Sequence, residues 1–275
     1  MPLGAIMCQS TYRFTDRKGV QVDFQDSEGY ALVTGGTGGI GSAVCRLLGE
    51  QGSKVAFTYF QNKEAAEELE ATLDSLETAP FSRPLDLRNA DAISSFVDFL
   101  EEKGGIHTLV HTVGPQVPQT HLSKVSPALF KEHAELEING FFNTVQAVLP
   151  CLRASKGSIV AVTSAATDRY PIRDGLSAGP KAAVEMLIRG LAAEEGKYGV
   201  RANAVGPGML SDGMAEDLIA KGEYSQQDLD IATKNIPLSR FGKASDVAEA
   251  VCFLASKRAN YISGQILNID GGYTA

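Results

Sequence analysis

From residue 29 onward, short apolar runs alternate with longer stretches in which apolar positions recur every three or four residues. The runs at 30–33, 54–59, 108–112, 158–163, 201–205 and 265–269 predict strands buried on both faces, and 83–86 marks the end of a further strand. Helical periodicity covers 40–51, 63–76, 90–103, 178–196 and 244–255, with two helical runs inside 127–152. Strands that alternate with helices predict an α/β fold: a single-domain, Rossmann-type doubly wound parallel sheet with helices on both faces, spanning 29–275. Ahead of it, residues 11–24 alternate apolar and polar around a D-R-K-G turn. That pattern makes 1–28 an N-terminal extension with a β-hairpin, a loosely ordered tail being the plainer alternative. The longest irregular stretch, 207–237, contains one helical-looking segment and has the length of a lid over a site.

Composition narrows the partners. The 275 residues are 44% hydrophobic and 21% charged, enough for one large domain with a substantial core. A net charge of −8 disfavours nucleic acid. Cys8, Cys45, Cys151 and Cys252 are scattered without a C-x-x-C pair, which fits a reduced compartment. His107, His111, His121 and His133 form no H-E-x-x-H pattern, so no metal site is expected. No apolar run approaches the roughly 20 residues of a membrane span. The first ten residues lack the basic and apolar regions of a secretory signal. A cytoplasmic protein that does not engage membranes is expected.

The first strand runs straight into T-G-G-T-G-G-I-G, 34–41, which opens an amphipathic helix. Gly35 permits the tight turn; Gly39 and Gly41 let backbone approach a pyrophosphate, which then faces free N–H groups at the helix N-terminus. In this context the glycines predict a dinucleotide site. An NAD site would place Asp or Glu at the end of the second strand to hold the ribose 2′-hydroxyl. Here Tyr59 ends that strand, Asn62 and Lys63 follow, and no carboxylate appears before Glu64. An amide and an ammonium suit a 2′-phosphate, so NADP(H) is the expected cofactor.

With these motifs the chain resembles the short-chain dehydrogenase/reductase family over 29–273. The resemblance rests on TGGTGGIG, on Asp86 in P-L-D-L-R, on Asn139 in E-I-N-G and on Thr163-Ser164 after the fifth strand. It continues through Lys181, V-R-A-N-A-V-G-P-G at 200–208 and S-G-Q-I-L-N-I-D-G-G at 263–272. It implies that Thr37, Ile40, Asp86, Leu87, Gly114, Pro207, Gly208 and Leu210 join the cofactor site, with Asp86 at the adenine. It also implies that Ser164 positions a substrate oxygen, that Lys181 binds the nicotinamide ribose, and that Asn139 orders a relay water. The family's proton donor is a tyrosine four residues before the lysine, and here that residue is Ser177. An alcohol is a far weaker acid than a phenol, and loss of a positioned general acid costs about 10²–10⁴ in rate.

Other positions also depart from the family. N-N-A-G is replaced by H-T-V-G, 111–114, which makes His111 either a cofactor contact or a structural replacement. After the P-G turn, Leu210, Ser211 and Asp212 stand where a carboxamide-holding threonine is usual; Ser211 is a substitute, and Asp212 a candidate for new work at the substrate. Three replacements for the acid are open: Tyr170, which is the preferred donor and a catalytic residue on this reading, Asp174, and a water held by Ser177 and Lys181. Tyr170 and Asp174 also have plain readings, as packing and as a turn or cap.

The S-x-x-x-K spacing and A-A-E-E-G-K-Y-G-V-R resemble the dienoyl-CoA reductase branch, where serine stands beside the lysine. That similarity is partial, because the branch's upstream tyrosine would fall at Ala166. It implies reduction of a conjugated carbon, with the thioester oxygen's charge held by hydrogen-bond donors and a nearby cation. The expectation is an NADP(H)-dependent reductase of an enoyl or 3-oxoacyl thioester, CoA- or carrier-protein-linked, or of a related carbonyl compound. The alternative is an impaired NADP(H)-binding sensor or structural subunit. Family pairing of the helices at 127–152 and 178–196 implies a homotetramer, or else a homodimer.

Overall fold

In the computed structural model, which describes residues 23–115, 117–212 and 226–275, the apolar runs become seven strands. They are β1 Tyr30–Thr34, β2 Lys54–Tyr59, β3 Phe81–Pro84, β4 Ile106–His111, β5 Ser158–Val162, β6 Arg201–Pro207 and β7 Ile266–Ile269. All neighbouring strands pair in parallel, in the order β3-β2-β1-β4-β5-β6-β7. The chain winds outward from β1 to β3, then returns to lay β4 on the other side of β1. The connections therefore diverge between β1 and β4, leaving a crevice at their carboxyl ends. Every residue of β1, β4 and β5 is buried, which is why these strands read as continuous apolar runs rather than alternating ones.

The helices are α1 Gly39–Glu50, α2 Lys63–Asp74, α3 Ala90–Glu102, α4 Pro127–Ala134, α5 Gly140–Ser155, α6 Gly175–Glu195, α7 Gln226–Lys234 and α8 Ala244–Ala255. They bury two separate cores. Phe96, Phe141, Leu152 and Ile188 lie on one face of the sheet; Val44, Phe57, Leu69 and Val251 lie on the other. α7 answers to the helical-looking segment inside 207–237. The hairpin expected at 11–24 lies outside the described residues but for its last two, of which Phe24 is buried with its N–H donating to the Gln51 carbonyl at 3.0 Å.

Two local departures from the expected pattern shape the site. α6 starts at Gly175 rather than at 178, so Ser177 lies in its first turn. Tertiary packing sets that start: a Cβ on Gly175 would collide with the Leu122 side chain, and Leu176 is buried. The second departure is a π-helical turn, Glu135–Asn139, between α4 and α5. Such turns widen the backbone repeat and re-aim side chains, often at functional sites.

Candidate active site

The glycine loop after β1 is shaped by close approaches. Gly35 sits at φ +75°, and a Cβ on Gly41 would run into the Gly35 carbonyl oxygen and lie 2.8 Å from Thr112 Oγ1. Thr112 fastens the loop by donating to the Thr34 carbonyl at 2.7 Å. Gly38 begins α1 without a side-chain cap, and Gly38 and Gly39 are exposed, so the first N–H groups of the helix face outward. Beyond the loop lies a cleft of about 380 Å³ whose walls include Thr37, Tyr59, Asp86, Leu87, Arg88 and Gly114. An uncapped helix start, backbone pressed close by glycine and a cleft lined by Tyr59, Asp86 and Gly114 fit a dinucleotide.

The adenosine end differs in part from expectation. Tyr59 and Asp86 line the cleft, whereas Asn62 and Lys63 do not. The Asn62 side chain caps α2, accepting the Ala65 N–H at 3.1 Å, and Lys63 pairs with Glu67 one helical turn on, also at 3.1 Å. The cation on the cleft wall is Arg88, held by Asp86 through a two-pronged contact, Nε to Oδ1 at 2.9 Å and Nη2 to Oδ2 at 2.6 Å. The guanidinium beside Asp86 holds its carboxyl below the usual range. The position was legible as the last letter of P-L-D-L-R, but spacing gave it no role.

His111 ends β4 inside the core, not in the cleft. It is 2% exposed, its Nδ1 shares a 3.0 Å hydrogen bond with Thr34 Oγ1, and its ring meets Phe141 edge-on. Its Nε2 is buried without a partner. Burial, helped by the Lys181 charge, pulls its pKa down to about 3, so the ring is neutral. Of its two readings, structural replacement is the one this placement favours.

The residues expected to be catalytic gather in part around Lys181. Its ammonium donates to Glu137 Oε1 at 2.8 Å, with the two side chains 14% and 3% exposed. Gly114 closes over the pair: a Cβ there would stand 3.1 Å from Glu137 Oε1 and 3.3 Å from Lys181 Nζ. Asn139, the expected relay residue, is exposed; the π turn presents Glu137 inward instead. A carboxylate in E-L-E-I-N gave no sequence signal, because its inward aim depends on the widened turn.

Ser177 lies one turn before Lys181, half-buried on the same face of α6. Asp174 is the residue at the N-terminal boundary of α6, and its carbonyl accepts the N–H groups of Ser177 and Ala178 at 3.0 and 2.9 Å. Burial pushes its carboxyl above the usual range, while the Gln119 amide, the Lys181 ammonium and the Ser177 hydroxyl pull it back down. Tyr170 is 51% exposed and is not brought to this group. Ser164 follows β5, and its hydroxyl oxygen accepts the Ala166 N–H at 3.1 Å, which leaves its proton free to donate.

Beyond β6, Gly208 packs so tightly that a Cβ would lie 2.7 Å from the Asp270 Cα, and Leu210 bridges to Gly242. Ser211 Oγ donates to the Gly242 carbonyl at 3.3 Å. Asp212 accepts the Ala244 N–H at 2.9 and 3.0 Å at the start of α8, so its work is a helix cap rather than substrate chemistry.

Comparison with known proteins shows the family to which the fold belongs. The family model described as enoyl-(acyl carrier protein) reductase matches residues 35–274. A versicolorin reductase of Emericella nidulans is 32% identical over 88% of this chain and 94% of its own length. A 3-oxoacyl-[acyl-carrier-protein] reductase of Staphylococcus aureus is 30% identical over 88% and 96%. The peroxisomal 2,4-dienoyl-CoA reductase of Saccharomyces cerevisiae is 30% identical over 88% and 82%. Among solved structures, a short-chain dehydrogenase of Burkholderia cenocepacia in complex with NADP superposes with a TM-score of 0.83 at 29% identity, over 92% of this chain and 100% of that one. An NADPH-bound short-chain oxidoreductase of Pseudomonas aeruginosa, described as containing an atypical catalytic centre, does so at 0.82 with 28% identity, over 89% and 96%.

Proposed function

Because the chain belongs to the short-chain dehydrogenase/reductase family, its matched stretch covering nearly all of the sheet domain, we propose that it is an NADP(H)-dependent reductase of acyl thioesters, enoyl or 3-oxoacyl, or of a related carbonyl compound, with a proton donor other than tyrosine. The observation that carries this reading is the partly buried Lys181, beside Gly114 on the cleft and one helical turn from Ser177.

When bound, the nicotinamide supplies hydride. The chain's own residues do the rest. The glycine loop and the start of α1 hold the pyrophosphate. Lys181 keeps ammonium protons beyond the one given to Glu137 and turns them to the ribose. Ser164 and Ser177 donate hydrogen bonds to the substrate oxygen, steadying the charge that develops there. Asp174 is the proton donor: its partly buried carboxyl stands next to Ser177 and favours the protonated form more than an exposed aspartate does. Absence of a carboxylate after β2 and the Arg88 guanidinium on the cleft wall support NADP(H) over NAD(H). The carrier-protein and CoA substrates named for two of the relatives support a thioester.

The test is stopped-flow absorbance at 340 nm with ketone, 3-oxoacyl and enoyl thioester panels. Oxidation of NADPH with a thioester is the expected result. Tight NADPH binding with no oxidation on any substrate would replace this reading with that of a sensor. Calorimetry should give tighter binding of NADPH than NADH; equal affinities would remove the role of Arg88 and Tyr59 in the choice.

A further inference from the structure

We infer that Glu137 is the counter-ion that weakens the charge Lys181 presents to position 177. This deepens the reductase reading and rests on it only for the claim that position 177 faces substrate.

The argument starts with the pair itself. Glu137 and Lys181 meet at 2.8 Å, with side chains 3% and 14% exposed. Away from water a single charge acts strongly on its neighbours, and an oppositely charged group in contact cancels most of that field within a short distance. A free ammonium one helical turn from residue 177 would favour the ionised form of any acidic side chain there. An ammonium bound to a carboxylate presents a weakened field instead, one that still reaches Asp174 and His111. The fold places Glu137 from two sides: the π turn aims it inward and α6 supplies Lys181, while the absent Cβ of Gly114 leaves space for the pair.

The other titratable groups on the elements packed around the pair do not undo this. His111 on β4 is buried and neutral. His133 on α4 is buried. Asp174 at the start of α6 adds negative charge, when ionised, rather than positive. The absent phenol at 177 and the compensated lysine therefore belong to one arrangement. With no acidic hydroxyl to activate, the lysine serves as a hydrogen-bond donor, and its charge is taken up by Glu137.

A consequence is that restoring the ring alone does not restore ordinary carbonyl chemistry. The test compares Ser177→Tyr with Ser177→Tyr/Glu137→Gln, each against a parent carrying the same residue at 137. Tyrosinate absorbance is titrated by difference, which removes the eight native tyrosines. The introduced phenol should titrate near the ordinary value of about 10 with Glu137 present. It should fall by about one unit or more in the double variant. Reduction of a ketone or 3-oxoacyl thioester by NADPH should rise at least roughly tenfold from the single to the double variant, as expected of a general acid brought nearer working pH.

Identical titration in the two backgrounds overturns the inference. A shifted titration with no hydride transfer upholds it and removes the reductase reading instead. Where melting or NADPH binding shows that the ring does not fit, Ser177→Cys in a Cys8→Ser background is a smaller reporter, read by the pH dependence of iodoacetamide alkylation. The remaining cysteines, Cys45, Cys151 and Cys252, are buried with their thiols pushed up. A thiol at 177 with the same titration with and without Glu137→Gln overturns the inference equally.

Discussion

At the scale of single residues, the site depends on how burial sorts ionisable groups. Asp174 carries the proposed proton. Asp174→Asn should lower kcat by about 10²–10⁴, the usual loss for a positioned general acid, while Tyr170→Phe should leave kcat within a few-fold. Because burial raises the Asp174 carboxyl, activity that needs its protonated form should decline as pH rises through that raised value; a flat profile would assign the proton elsewhere. The buried histidines set a different pH dependence. His107 and His111 are pulled from an ordinary 6.5 to about 4 and about 3. The unfolded chain therefore binds protons that the folded chain refuses, and stability falls as pH drops from 6.5 toward those values. The slope is about 1.4 kcal/mol per pH unit for each histidine. Melting followed against pH should show that loss, and His111→Asn should flatten part of it. The sequence named His111 as an alternative between cofactor and core. Only the packing against Phe141 and the bond to Thr34 separated the two.

At the scale of elements, the strand and helix pattern was largely legible because each strand is an apolar run and each helix a periodic one. The cofactor loop was legible for the same kind of reason, since steric demand at Gly35 and Gly41 is written as residue type. Gly41→Ala should destabilise by roughly 1–3 kcal/mol, the cost of forcing a methyl into filled space, and should abolish NADPH binding; an unchanged melting temperature would contradict the tight loop, and intact cofactor affinity would remove the loop from the cofactor site. What sequence could not supply was phase. The start of α6 was read one turn late because Gly175 is retained for the sake of Leu122, distant in the chain. The family resemblance points to Asn139 and is silent on Glu137, which the π turn aims inward. The amide of Asn62 and the ammonium of Lys63 suit a phosphate by position and chemistry, but an asparagine before a helix also has a local partner in the backbone, and here it takes it.

At the scale of the whole molecule, one sheet brings residues distant in sequence to the carboxyl edge of β1, β4 and β5, and the outer helices remain available for assembly. The proposed homotetramer would use α5 and α6, where Phe142 and Met186 are exposed and where Gly179 and Gly190 leave open space beside the backbone. Met186→Glu should lower the mass measured by sedimentation to that of a smaller species; an unchanged mass would place the contact elsewhere. The π turn also has a reach beyond the pair it aims. Each residue added to or removed from an α-helix rotates everything beyond it by about 100°, so α4 and α5 act as two shafts joined by an indexed coupling. Deleting one residue within 135–139 would leave both shafts helical yet out of index. Either α5 keeps Phe141 in the core and α4 loses its seat on the cleft wall, or the reverse. A scan of single-residue deletions through this turn would read out which of the two the fold protects.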